Sequence, residues 1–147
     1  MKNSTEQINV KEIHSRANKC PFYKTISMAI LKVDEEGSLL QVTSDVKHQN
    51  LWGTMHGGVI AALVDSSCGS SIAPHLKKGE TIVTISLHID YIAGVIEGNL
   101  TGRGKMIHRG SRLARAEAVI TNEDEKLIAK GYASFMIMAV PIKKSDK

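Results

Sequence analysis

Residues 57–73, GGVIAALVDSSCGSSIA, constrain the fold more than any other part of the chain. They are small or apolar nearly all round a helical projection, and Pro74 closes the run, because proline cannot continue a helix. A helix that is apolar on every side must be wrapped by sheet or covered by another subunit. Yet Asp65 stands in its middle. Steps of three and four from Asp65 reach Gly58, Ala61, Ala62, Cys68, Gly69 and Ile72, so the carboxylate shares its stripe with small and apolar side chains. A carboxylate in such surroundings is costly unless it is paired or used.

The flanking sequence supplies a sheet to do the wrapping. ISMAILKVDEEGSLLQVTSDV reads as two strands about a turn at 34–37, where Asp, Glu and Gly are turn chemistry. TIVTISLHIDYI alternates strictly: Val83, Ile85, Leu87, Ile89 and Tyr91 fall on one face, and Thr84, Ser86, His88 and Asp90 on the other. That pattern predicts a strand with one buried face. LTGRGKMIH predicts another strand, and SRLARAEAVI and KLIAKGYASFMIM flank a hairpin loop at 121–125. Ala114, Ala116, Ala118 and Ile120 share a face, and side chains that small let a helix pack closely. Upstream, TEQINVKEIHSRAN predicts a short amphipathic helix with Ile8 and Ile13 toward the core, ended at Cys20-Pro21. One long helix among antiparallel strands makes an α+β domain.

Composition excludes several function classes. At 147 residues the chain suits one domain. The net charge of +4 permits an anionic partner, but aromatic residues at 4% leave no stacking platform for nucleic acid. No run of about 18 apolar residues exists to span a membrane, and MKNSTEQINV has no apolar core of a secretory signal. Cys20 and Cys68 match no metal or redox spacing. Two free thiols suit a reducing, cytoplasmic location. His48 and His88 suggest no tetrahedral set, so no metal site is expected. GNLTGRGKM fails as a phosphate loop, because Met106 stands where Ser or Thr is needed.

The sharper signal lies in NLWGTMHGG, residues 50–58. Gly57 and Gly58 open the helix two turns before Asp65, where free N–H groups and the positive end of the helix dipole converge. Such a terminus can hold an oxyanion, and glycine lets a carbonyl approach the backbone. A carboxylate, an N–H donor and a dry wall are what acyl transfer needs. Asn50 offers an amide to a carbonyl or a water, or else caps its own turn. His56 is a base or, on the favoured reading, a brace for the loop.

Asn50, Gly53, His56-Gly57-Gly58 and Leu63-Val64-Asp65 together resemble the signature of hotdog-fold acyl-CoA thioesterases. The likeness is to the PaaI-like branch that includes the thioesterase superfamily member 2 type, and it runs from about residue 20 to residue 139. It implies a curved antiparallel sheet wrapped around one long helix. It divides the chain into an N-terminal helical segment (1–19), a hotdog domain (20–140) and a charged tail (141–147) expected to fray. It further implies a homodimer with the active site at its interface, commonly paired again into a homotetramer. There Asn50 and Gly57 of one chain would meet Asp65 of the other. Gly57 N–H would polarise the thioester carbonyl, Asp65 would act as general base or nucleophile, and Thr84 would orient the water. Gly58, Lys105, His108, Arg109, Gly110, Ser111 and Arg112 would line the path of the coenzyme A moiety, Arg109 and Ser111 being the favoured phosphate contacts. Coenzyme A enters as substrate, with no cofactor. The competing expectation is a hotdog protein that binds acyl-CoA without hydrolysis. The acyl group is not fixed by spacing; Ile72, Leu76, Met106, Met136 and the second subunit are expected to shape its pocket.

Overall fold

The computed structural model describes residues 9–140. Ile8, the start of the expected first helix and the charged tail lie outside the described residues. Asn9 caps α1 (Val10–Lys19), its side-chain oxygen accepting the Lys11 N–H at 2.9 Å. Cys20 ends α1 as expected, but Pro21 then opens a second short helix, α2 (Pro21–Thr25). Proline suits the first position of a helix as well as it terminates one. Strands β1 (Met28–Asp34) and β2 (Gly37–Val42) follow, then α3 (Gly57–Ile72), and then β3 (Glu80–Tyr91), β4 (Leu100–Arg109), β5 (Leu113–Thr121) and β6 (Leu127–Ala139).

The six strands form one antiparallel sheet in the order β1-β2-β4-β5-β6-β3. The sheet curves around α3, giving the hotdog architecture. Leu63, Val64, Cys68 and Ile72 of the helix are fully buried against it, each large aliphatic contributing about 1.5–3 kcal/mol. The approach is close because the sheet offers a lane with almost no side chain. Gly104, Ala118 and Gly131 pair in register across β4, β5 and β6. A Cβ on Gly104 would stand 2.0 Å from the Ser67 carbonyl oxygen, and one on Gly131 2.6 Å from Val64 Cγ1. The alanine row of β5 is entirely buried beneath the same helix.

Strand β3 departs from the expected pattern in two ways. It is an edge strand, and Val83, Ile85, Leu87 and Tyr91 are 38–53% exposed, with only Ile82 and Ile89 of its apolar residues packed partly buried against the core. It also carries a bulge between Thr84 and Ser86, leaving Ile85 without a cross-strand partner. Directly paired residues point to the same side of a sheet. Thr84 pairs with the buried Phe135 and Leu87 with the buried Ala133. Thr84 therefore faces the helix together with Leu87, Ile89 and Tyr91, while Val83, opposite the exposed Met136, faces away. The extra residue in the bulge reverses the alternation.

Candidate active site

The site begins in the loop before α3. Asn50 is committed to that loop: its amide donates to Thr54 Oγ1 at 2.8 Å, and its side-chain oxygen accepts the Trp52 and Thr54 N–H groups. Gly53 takes φ +79°, a conformation glycine adopts without strain. The buried His48 closes the other side. Its Nδ1 accepts the Asp45 N–H, and its carbonyl accepts the His56 N–H at 2.7 Å.

His56 is the N-cap of α3. Its Nδ1 accepts the Gly58 N–H at 2.8 Å, which places the ring proton on Nε2. The bracing role is thus the one its geometry fills. A side chain on Gly58 would stand 2.9 Å from that ring, so glycine is needed for the cap to form. Gly57 is covered from the other side by Tyr91, whose hydroxyl donates to the Gly57 carbonyl at 2.8 Å and whose ring lies 3.3–3.4 Å from where a Cβ would be. Among the described residues, no acceptor pairs with the Gly57 N–H. The helix thus opens with one donor taken by its cap and one pointing free.

Two turns on, Asp65 is half-buried on the wall of a cavity of about 430 Å³. Thr84 Oγ1 donates to Asp65 Oδ1 at 2.9 Å. The bulge is what lets an inward Thr84 coexist with an inward Leu87, Ile89 and Tyr91 further along the strand. The cavity continues between α3, β3 and the N-terminal helices. Burial pushes the Tyr23 phenol up, with hydrogen bonds to Ser66 and Ser70 opposing it. Burial, helped by the Asp65 charge, pushes the neighbouring Cys68 thiol up to about 12, which leaves it inert as a nucleophile. Of the four residues expected to shape an acyl pocket, Leu76 lines this cavity. Ile72 is sealed in the core, Met106 borders a separate depression, and Met136 lies exposed on the outer side.

Gly57 and Asp65 do not converge within one chain. Eight residues separate them on one helix, about 12 Å at 1.5 Å per residue. The basic stretch is also dispersed. Lys105, paired with Glu117, and His108, paired with Arg115, are exposed on the outer side of the sheet. Ser111 and Arg112 are exposed in the turn that follows. Gly110 donates its N–H to the Leu113 carbonyl and closes that turn. Arg109 points inward, where it is ion-paired with Glu80 in a mostly buried contact and also donates to the Gly110 carbonyl. Burial raises the Glu80 pKa, but the Lys77 N–H and the Arg109 guanidinium outweigh it and hold the carboxyl below its ordinary value. Sequence spacing gave no hint of Tyr23, Glu80 or Tyr91 at the site. The ring of Tyr91 closes an apolar alternation, which reads as core.

Residues 52–129, just over half of the chain, match the model of the thioesterase superfamily. The chain belongs to the thioesterase superfamily. This thioesterase is therefore a thioester hydrolase by family, and its relatives agree. It is 31% identical to a thioesterase-superfamily protein of known crystal structure, over 86% of this chain and 97% of that one, with a TM-score of 0.78. It is 25% identical over 132 residues to the medium/long-chain acyl-CoA thioesterase YigI of Escherichia coli, covering 80% of this chain and 85% of YigI. The PaaI protein from the phenylacetic acid degradation operon of E. coli has the same fold, at 19% identity and a TM-score of 0.80 over 88% of this chain and 92% of that one. No helix among the described residues of the thioesterase is long and apolar enough to cross a membrane.

Proposed function

We propose that this thioesterase hydrolyses acyl-CoA at sites shared between two copies of the chain, each site taking its oxyanion donor from one copy and its carboxylate from the other. The observation that carries the reading is the pairing of Asp65 with Thr84 on a cavity wall, about 12 Å along the same helix from an unpaired Gly57 N–H. A donor and a base that far apart cannot serve one carbonyl, whereas a two-fold axis brings each to the other's counterpart. The exposed edge of β3, with its apolar side chains, is the surface through which the copies would join.

In this mechanism the thioester carbonyl oxygen accepts the Gly57 N–H at the positive end of α3. Asp65, held by Thr84, takes a proton from water as its oxygen adds to the carbonyl carbon. The electron pair displaced onto the oxyanion then returns, the carbon–sulfur bond breaks, and the thiolate recovers the proton from Asp65. Attack by Asp65 itself, through an anhydride that water opens, uses the same groups. His56 and Asn50 act on this reading by holding the loop that presents Gly57. Lys105, His108, Ser111 and Arg112 supply positive charge and donors for the phosphates of coenzyme A, while Arg109 is kept by Glu80 to order the turn.

A subunit-mixing assay tests the reading. Gly57→Pro removes the N–H at a helix position that tolerates proline, and His56 already has the extended backbone that a following proline requires. Its new Cβ meets the Tyr91 side chain at 3.3–3.4 Å, so Gly57→Ala, which adds the same Cβ but keeps the N–H, is the control and should stay active. Gly57→Pro and Asp65→Asn are each expected to be inactive in thiol release from acyl-CoA. Unfolded and refolded together, they should recover about a quarter of wild-type activity, since half the dimers are mixed and half of their sites intact. No recovery between two folded, dimeric variants would sink the shared site. Tight acyl-CoA binding without thiol release by wild type would favour the non-catalytic binder.

A further inference from the structure

The cavity at Asp65 is partly built by a segment outside the matched family region. Ile13 and Ala17 of α1 and Tyr23 of α2 line it together with Gly69, Ile82 and Phe135. We propose that this cavity is the acyl pocket and that the N-terminal helices set the length of acyl group it accepts. The proposal rests on Asp65 as the hydrolytic carboxylate and names the substrate class of that site.

Three observations give the class. The lining named above is apolar apart from the Tyr23 hydroxyl, and the hydroxyls of Ser66, Ser70 and Thr81 also border the cavity. Of the charged groups that border the cavity, Arg16 is ion-paired with Glu12 and Glu80 with Arg109, while Asp65, held by the Thr84 hydroxyl, opposes an acyl group that ends in a carboxylate. The volume, about 430 Å³, equals roughly fourteen groups the size of a water at about 30 Å³ each. With the thioester carbon at Asp65, that room suits an uncharged chain of about eight to twelve carbons. A sixteen-carbon chain would meet α1 before it is fully buried.

The test is kcat/KM for butyryl-, octanoyl-, decanoyl- and palmitoyl-CoA, followed by thiol release, with thermal melts on every variant. Wild type should peak at octanoyl or decanoyl. Ala17→Phe fills the cavity from α1 and should lower the decanoyl-to-butyryl ratio at least tenfold. Gly69→Ala fills it from α3: its new methyl meets Phe135 and Ile82 at 3.6–3.7 Å, an ordinary contact the fold accommodates. It should lower the same ratio several-fold. Ser15→Phe adds equal bulk to the exposed side of α1 and should leave the ratio within twofold. A palmitoyl optimum in wild type, or an unchanged ratio in folded Ala17→Phe and Gly69→Ala, overturns the pocket assignment while hydrolysis stands. No release from any ester by wild type overturns the hydrolytic role of Asp65 and this proposal with it.

Discussion

Thr84 and Asp65 stand on different elements, nineteen residues apart, and are joined by a hydrogen bond of 2.9 Å from the hydroxyl to the carboxylate. The pair fixes one carboxylate oxygen on the wall of the cavity. It also ties the outermost strand to the central helix. The carboxylate has a defined direction because a neighbouring hydroxyl gives it one.

Asp65→Asn should keep this bond, because the amide oxygen still accepts from Thr84. Its melting temperature should stay within a few degrees of wild type, while thiol release falls about 10²- to 10⁴-fold, the usual contribution of a proton-transfer group. A collapse of folding together with activity would make Asp65 a structural residue.

Thr84→Val removes the donor at nearly constant volume. A hydrogen bond to a charged group is worth about 1.5–3 kcal/mol, so kcat should fall about ten- to a hundredfold, with KM little changed. Thr84→Ser should restore most of the rate. Steady-state kinetics on the three proteins decides it, and equal losses in the Val and Ser variants would count against the role.

Two glycine substitutions should behave in opposite ways. Gly104→Ala drives a methyl into the Ser67 carbonyl, 2.0 Å away on the helix backbone, and should cost about 3 kcal/mol or more. Gly69→Ala meets only ordinary contacts and replaces glycine inside a helix, so it should be neutral or stabilising by up to about 1 kcal/mol. Denaturant midpoints compare them directly.

The Glu80–Arg109 pair predicts an acid limb. The folded-state pKa of Glu80 lies below its ordinary value of 4.5, so the stability it contributes is complete above that value. It is lost as pH falls through the lowered one. The melting-temperature difference between wild type and Glu80→Gln should therefore shrink as pH drops from about 6 to about 3. A difference that stays constant over that range would show that the pair does not titrate with folding.

Much of the architecture was legible because it rests on local rules. The helix at 57–73, the turn at 34–37 and the alanine row of β5 each follow from side-chain size or backbone preference, and each is found. Asp65 was legible as an anomaly, a charge on an otherwise small and apolar stripe. The basic stretch was not. Spacing placed Arg109 with Lys105 and His108, yet a bulge between Met106 and His108 turns Arg109 inward to Glu80, twenty-nine residues away in sequence. Tyr23 and Tyr91 were missed for a related reason. An aromatic ring at the end of an element reads as core, and only tertiary packing shows that one covers Gly57 and the other walls the cavity.

The unpaired Ile85 has a consequence for parity. Thr84 and Tyr91 are seven positions apart, an odd interval that sends side chains to opposite sides of an uninterrupted strand. With one residue looped out of the count the interval becomes even, and the two reach the same helix two turns apart, at Asp65 in its middle and at Gly57 at its start. A chain lacking Ile85 would keep both of them inward. One that straightened the bulge while retaining Ile85 would have to surrender one of them.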